Sequence, residues 1–145
     1  MANELRCFCA PGHPLIQREP LELRDLLEGP LLLREPGSGT RESAEEILRE
    51  HGVDPHPAMQ MASNGALKRA VAKGLGVTVL SSYAVRLELE LNLLHPLEVR
   101  GFPVHSRWHV VWARERFLSP AALSFRRHRQ STDWRIDLAA PMARE

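Results

Sequence analysis

The chain has 145 residues, a formal net charge of +1, 43% hydrophobic residues and 26% charged residues. This suffices for one domain of ordinary size with a real core, and the near-neutral balance makes no bulk electrostatic demand for nucleic acid or an anionic membrane. No apolar run approaches the roughly 20 residues needed to span a bilayer, and Met1-Ala2-Asn3-Glu4-Leu5-Arg6 lacks the basic-then-apolar order of a secretory signal; the expectation is a cytoplasmic protein with no membrane partner.

In chain order, residues 5–10 read as a strand carrying the two cysteines, Cys7 and Cys9. One residue separates them, so a disulfide would be strained. With only His13 nearby, a metal site lacks a fourth ligand, and buried thiols are the expectation. Pro11-Gly12-His13-Pro14 is a turn signal. Residues 21–27 form a short helix candidate ended by Gly29-Pro30, and the apolar run that follows predicts a strand over Leu31–Arg34.

Ala44, Ile47, Leu48 and His51 recur at i, i+3, i+4 and i+7, which is helical spacing, and Gly52 sits where a left-handed cap is expected. Residues 58–62 are a short strand candidate. Ser63 or Asn64 can cap a second helix, whose Leu67, Ala70, Val71 and Gly74 repeat the spacing. A β-branched strand over residues 76–80 follows, then a helix over 83–90 and strands over 93–99 and 107–113, the last with Trp108, Val110 and Trp112 on one face. Ser119-Pro120 opens a final helix with an N-cap and a proline at its first position. From about residue 130 onward periodicity is lost. The alternation of strands and helices predicts a mostly parallel sheet covered by helices.

The segment Glu35-Pro36-Gly37-Ser38-Gly39-Thr40-Arg41 joins a predicted buried strand to a helix start. A glycine-rich turn with two hydroxyls at a helix N-terminus is a cradle for a small anion, because the first-turn N–H groups have no partner within the helix. Ser38, Gly39, Thr40 and Arg41 are therefore candidate ligand contacts: hydroxyl bonds from Ser38 and Thr40, backbone N–H bonds, and a two-pronged pair from Arg41. The competing reading is N-capping by Ser38 or Thr40 with Arg41 in solvent. Ser63 and Asn64 offer a second helix N-terminus. Lys68 and Arg69 read as solvated helix residues; Trp108, Trp112 and Phe125 read as core. Arg126-Arg127-His128-Arg129 suits a helix C-terminus.

Enzyme chemistry finds little support. Gly37-Ser38-Gly39 does not have the spacing of a nucleophile elbow, the turn lacks the lysine of a P-loop, and no histidine pair has the helical spacing of a metal hydrolase. No cofactor and no metal are expected.

Five segments together resemble the effector-binding half of LysR-type transcriptional regulators. They are Cys9-Ala10-Pro11-Gly12-His13-Pro14-Leu15, the strand-turn-helix from Leu32 to Arg41, Ser63-Asn64-Gly65-Ala66-Leu67-Lys68-Arg69-Ala70-Val71, Gly74-Leu75-Gly76-Val77-Thr78-Val79-Leu80-Ser81, and Leu118-Ser119-Pro120-Ala121-Ala122. The resemblance covers about residues 4–129. It implies an α/β fold like the type II periplasmic binding proteins: one complete Rossmann-like lobe plus part of a second, with ligand between the lobes. On that template, residues 1–10 are a crossover strand of the first lobe, 11–107 the second effector lobe, 108–130 the return strand and final helix of the first lobe, and 131–145 a tail. The template also turns the Ser63–Asn64 helix start toward the ligand cleft.

The function implied is sensing of a small anionic metabolite by a homo-oligomer that meets DNA only through a winged helix-turn-helix missing from this sequence. The wording of the glycine turn leans toward regulators of carbon fixation or sulfur assimilation. Because the family's opening segments are missing, the chain is expected to be an N-terminally truncated portion, leaving apolar surface of the first lobe bare. The alternatives are a solute-binding protein of transport, a small enzyme on the same scaffold, or a fragment with no function of its own.

Overall fold

A computed structural model of the chain describes residues 2–113 and 117–131. They fall into two units, Ala2–Arg107 and the residues from Trp108 onward.

The first unit is built on a six-stranded sheet of β1 (Ala2–Cys9), β2 (Leu31–Arg34), β3 (Met59–Met61), β4 (Val77–Ser81), β5 (His95–Leu97) and β6 (Val104–Arg107). The strand order is β3-β2-β4-β1-β5, with β6 also paired to β1. β2 is parallel to β3 and to β4, while β1 is antiparallel to β4, β5 and β6, so β1 alone runs against the rest. The expected mostly parallel sheet is therefore present, with one reversed strand near its middle.

Helices α1 (Gly39–Glu50) and α2 (Asn64–Ala72) cover opposite faces. Ala44 and Leu48 of α1 pack with Leu31, Leu33, Val77 and Val79; Leu67, Ala70 and Val71 of α2 pack with Leu32, Phe8 and Leu80. The period-2 alternation of β2 and β4 sends successive side chains to the two layers. The chain steps from β2 through α1 to β3, then back through α2 on the other face to β4, as right-handed crossovers require.

Local signals explain the ends of these elements. Glu35–Ser38 has the pattern of a type II turn: Pro36 at the second position, Gly37 with φ +85°, and the Ser38 N–H donating to the Glu35 carbonyl at 3.2 Å. α1 stops in a Schellman motif, with Gly52 at φ +71° and the N–H groups of Gly52 and Val53 donating to the carbonyls of Arg49 and Leu48.

Four expectations are corrected. Residues 21–27 give only a 3-10 helix over Leu23–Leu27, because prolines at 20 and 30 leave too little chain for a regular α-helix. The helix expected over 83–90 is split into a 3-10 turn (Ser82–Val85) and α3 (Arg86–Glu90). The strand expected over 93–99 is confined to β5. The strand expected over 107–113 ends where it was to begin: β6 stops at Arg107, whose partner on β1 is Ala2, and residues 108–113 have no regular structure.

In the second unit, α4 (Pro120–Ser131) begins as read, with the Ala122 N–H donating to Ser119 Oγ at 3.2 Å. Trp108, Trp112 and Phe125 are not core: they are 46%, 50% and 60% exposed, and Arg126 lies over the Trp112 ring at 5.5 Å. Of the expected tail 131–145, Ser131 closes α4 and the remainder lies outside the described residues.

Cys7 and Cys9 are buried free thiols, as expected. Burial, and after it the Glu19 carboxylate, pushes the Cys9 thiol up to about 12; burial and then the neighbouring Cys9 raise Cys7 as well. Neither thiol is a nucleophile in the folded chain.

Gly76 brings β4 against β2. Its φ is +149°, and a Cβ there would lie 2.0 Å from the Pro30 carbonyl oxygen and 2.6 Å from Leu32 Cδ1. Gly76→Ala is expected to destabilise the chain by at least about 2 kcal/mol, since both backbone strain and overpacking act at once; chemical denaturation measures it. Thr78 is the opposite case. Its hydroxyl is buried with no hydrogen-bond partner, a state that costs about 1–3 kcal/mol. Thr78→Val is expected to raise the unfolding free energy by about 1 kcal/mol in the same measurement.

Candidate anion-binding site

β2, β3 and β4 present their carboxyl ends on one edge of the sheet. From that edge β2 leads to α1 on one face, while β4 leads to Val85 and Leu89 in the layer on the other. This divergence is a topological switch point, where open α/β sheets form a crevice for ligands.

The sequence-predicted residues gather at this edge. Ser38 is the N-cap of α1, with extended backbone (φ −73°, ψ 123°), but its side chain makes no bond to the helix. The competing capping role for Ser38 is thus not realised, and the first-turn amides of Gly39, Thr40 and Arg41 have neither an intrahelical acceptor nor a side-chain cap. Gly39 is exposed, and a Cβ added to it would meet nothing within 4 Å. Ser63, by contrast, does cap: its Oγ accepts from the Ala66 N–H at 3.1 Å, and Asn64 follows as the first residue of α2.

Arg41 is neither solvated nor open as a two-pronged clamp. Its Nε donates to Glu45 Oε1 at 2.6 Å and its Nη1 to the Arg34 carbonyl at 3.1 Å. Arg41 therefore ties the first turn of α1 to the end of β2. Burial raises the Glu45 carboxyl, but hydrogen bonds from Arg41 and Arg49 outweigh it and hold the group below its usual value.

Two residues of the site carry roles that the sequence reading missed. Arg34 closes β2 and joins the two helix starts: Nε and Nη2 form a two-pronged pair with Glu35 Oε2 and Oε1 at 2.7 and 2.8 Å, and Nη1 donates to Asn64 Oδ1. The hydrogen bond with Glu35 raises the guanidinium pKa and lowers that of Glu35. The available signal was a cation ending an otherwise apolar strand immediately before the glycine turn. Lys68 is not a solvated helix residue. Its Nζ donates to the Ala84 carbonyl at 2.8 Å and pairs with Glu88 Oε1 at 2.7 Å, with side chains 20% and 17% exposed. It ties α2 to the chain leaving β4. No such signal marked Lys68, which sits on a helix face beside Arg69.

A switch point flanked by an uncapped helix start and a capped one is where α/β sheets of this kind receive small ligands, and the architecture is that of a type II periplasmic-binding-protein-like fold. The chain belongs to the LysR substrate binding domain family, whose model matches residues 1–132. It is 43% identical over 123 residues to a RuBisCO operon transcriptional regulator of Acidithiobacillus ferrooxidans, covering 85% of this chain and 40% of that protein. It is 36% identical to the HTH-type transcriptional activator CmpR of Synechocystis over 86% of this chain and 41% of the relative. The chain thus spans about two fifths of these relatives. Among solved structures, the Synechocystis CcmR regulatory domain in complex with 2-PG superposes with a TM-score of 0.78 at 30% identity, covering 88% of this chain and 62% of that one. The effector-binding domain of QuiR in complex with shikimate shares the fold, with a TM-score of 0.67 at 18% identity over 87% of this chain and 59% of that one.

The open space beside Gly39 separates binding from folding. Gly39→Ala removes backbone freedom from the unfolded chain and suits a helix, so it is expected to raise stability by about 0.4–1 kcal/mol. Its methyl would stand on the first turn of α1, where an anion would approach. Thermal unfolding is expected to rise while ligand titration weakens.

Proposed function

We propose that this chain is the ligand-sensing portion of a LysR-type transcriptional regulator and binds a small anionic metabolite at the α1–α2 edge of its sheet. The observation that carries the reading is the α1 first turn: backbone donors at Gly39 and Thr40 without a cap, at a switch point, with Arg34 between the two helix starts. Ser38, Gly39 and Thr40 hold the anion, and Asn64 and Ser63 set the second wall. Arg41 supports the turn from behind through Glu45 and the Arg34 carbonyl.

On this reading residues 11–107 are the second effector lobe, residues 1–10 the crossover strand that enters it, and residues 108–130 the segment that returns to the first lobe. The metabolite acts by population shift, favouring one arrangement of the regulator. A homo-oligomer carries that shift to winged helix-turn-helix domains that lie outside this sequence, in the cytoplasm. The anionic character of the ligand draws support from the 2-PG complex of the CcmR regulatory domain. No helix among the described residues is long and apolar enough to cross a membrane.

The test is a titration of the chain with 2-phosphoglycolate, followed by amide NMR and calorimetry. The expected result is movement of the Gly39, Thr40 and Asn64 amide resonances. Ser38→Ala and Thr40→Ala are each expected to weaken affinity about tenfold, the scale of one hydrogen bond to a charged group. Unchanged affinity in both variants removes the site.

A further inference from the structure

We propose that Glu35 is a tethered stand-in for the anionic group of the effector: it occupies the two-pronged face of Arg34 until an incoming anion displaces it. The inference rests on the α1–α2 edge being the effector site.

The geometry of the pair is that of ligand recognition. A guanidinium presenting two parallel N–H groups to the two oxygens of one carboxylate is the arrangement by which arginine binds carboxylate and phosphate ligands. Arg34 presents Nε and Nη2 to Glu35 at 2.7 and 2.8 Å, while Nη1 is held by Asn64. Asn64 and the backbone of β2 fix the guanidinium; Glu35 alone fills the face that remains. Its side chain is 37% exposed, against 18% for Arg34, so the occupant faces solvent more than the cation it covers.

Neighbouring side chains in extended chain point to opposite sides. The Glu35 carboxylate reaches its neighbour because the chain leaves β2 at this residue and enters the Pro36-Gly37 turn. Its carbonyl closes that turn by accepting from Ser38, the N-cap of α1. Glu35 thus sits on the one segment that leads from Arg34 to the uncapped amides. Release of its carboxylate frees two guanidinium donors at the end of the strand that leads into those amides.

Displacement also selects the ligand. A monocarboxylate exchanges like for like, and it competes with a carboxylate whose attachment gives it a high effective concentration. A phosphate group carries more charge and a third acceptor oxygen. The stand-in lowers the apparent affinity of every anion by the same factor, so weakly held monocarboxylates fall away first while the more strongly held phosphate-bearing or other doubly charged metabolites still bind.

The experiment titrates wild type, Glu35→Gln and Arg34→Gln with inorganic phosphate and, separately, with acetate, reading the Gly39 and Thr40 amide resonances and the Arg34 Nε–H resonance. Glu35→Gln is expected to tighten phosphate and acetate by about the same factor, roughly tenfold, since both displace the same carboxylate, and Arg34→Gln to weaken phosphate by about tenfold or more. Glu35→Asp keeps the charge but shortens the reach; it should move both affinities in the same direction as Gln, which covers a turn disturbed by the amide. If the Gly39 and Thr40 resonances respond but Glu35→Gln and Glu35→Asp bind both anions as wild type does, the stand-in is overturned and the site survives. If those resonances and that of Arg34 respond to neither anion in any of the proteins, the site reading falls and this inference with it.

Discussion

Where Gly76 passes the Pro30 carbonyl, β4 meets β2 with no room for a side chain, and the Val77 N–H donates to that same carbonyl at 3.0 Å. The contact sets the parallel register Leu31↔Val77 and Leu32↔Thr78. Everything the site needs follows from that register. It brings the carboxyl ends of β2 and β4 level, so that the turn after β2 and the chain after β4 leave side by side toward opposite faces. A larger residue at 76 would push the two strands apart at their starts and, through the stiff ladder, at the ends that bear Arg34 and Ser81.

The charges at that edge are arranged to leave neutral donors open. Three acidic groups stand on or just before the first two turns of α1, Glu35, Glu42 and Glu45, and Glu42 in the first turn suits the positive end of the helix dipole. Two of them are held by guanidinium groups, Glu35 by Arg34 and Glu45 by Arg41 and Arg49. With those carboxylates satisfied sideways, neither caps the helix, and the Ser38 hydroxyl does not cap it either. A helix end with such acceptors nearby and no cap is under-satisfied in a manner that an external anion can relieve. At α2 the Ser63 cap accepts from Ala66, and Asn64 accepts from Arg34, which makes that end a wall fixed in place.

The parts of the fold that depend on local periodicity were legible in the residues. β2 was read to the residue, α1 and α2 followed from apolar spacing, and Gly52 marked its cap by chemistry alone. The strand failures have one physical origin: strands are completed by partners that a sequence does not display. Residues 107–113 alternate like a strand, yet pairing with β1 ends at Arg107. Hydroxyls and glycines announce a helix start, so the beginnings of α1 at Ser38 and of α2 at Ser63 were legible. Which guanidinium would be engaged was not legible. Arg41 stands within the recognisable motif but is occupied by a glutamate four residues on, whereas Arg34 reaches across thirty residues to Asn64.

Arg41 and Arg34 divide two tasks that a single arginine could not serve together. A guanidinium that clamps the helix start must keep its partners fixed, and Arg41 does so through the Glu45 carboxylate and the Arg34 carbonyl, with both side chains mostly withdrawn from solvent at 13% and 14% exposure. Releasing it would loosen the first turn of α1. Arg34 is anchored by β2 and by Asn64, so exchanging its remaining partner leaves both helix starts in place. The recognisable arginine of the motif thus preserves the geometry of the amides, and the arginine that ends the strand is the one whose solvent-facing partner can be exchanged without disturbing them.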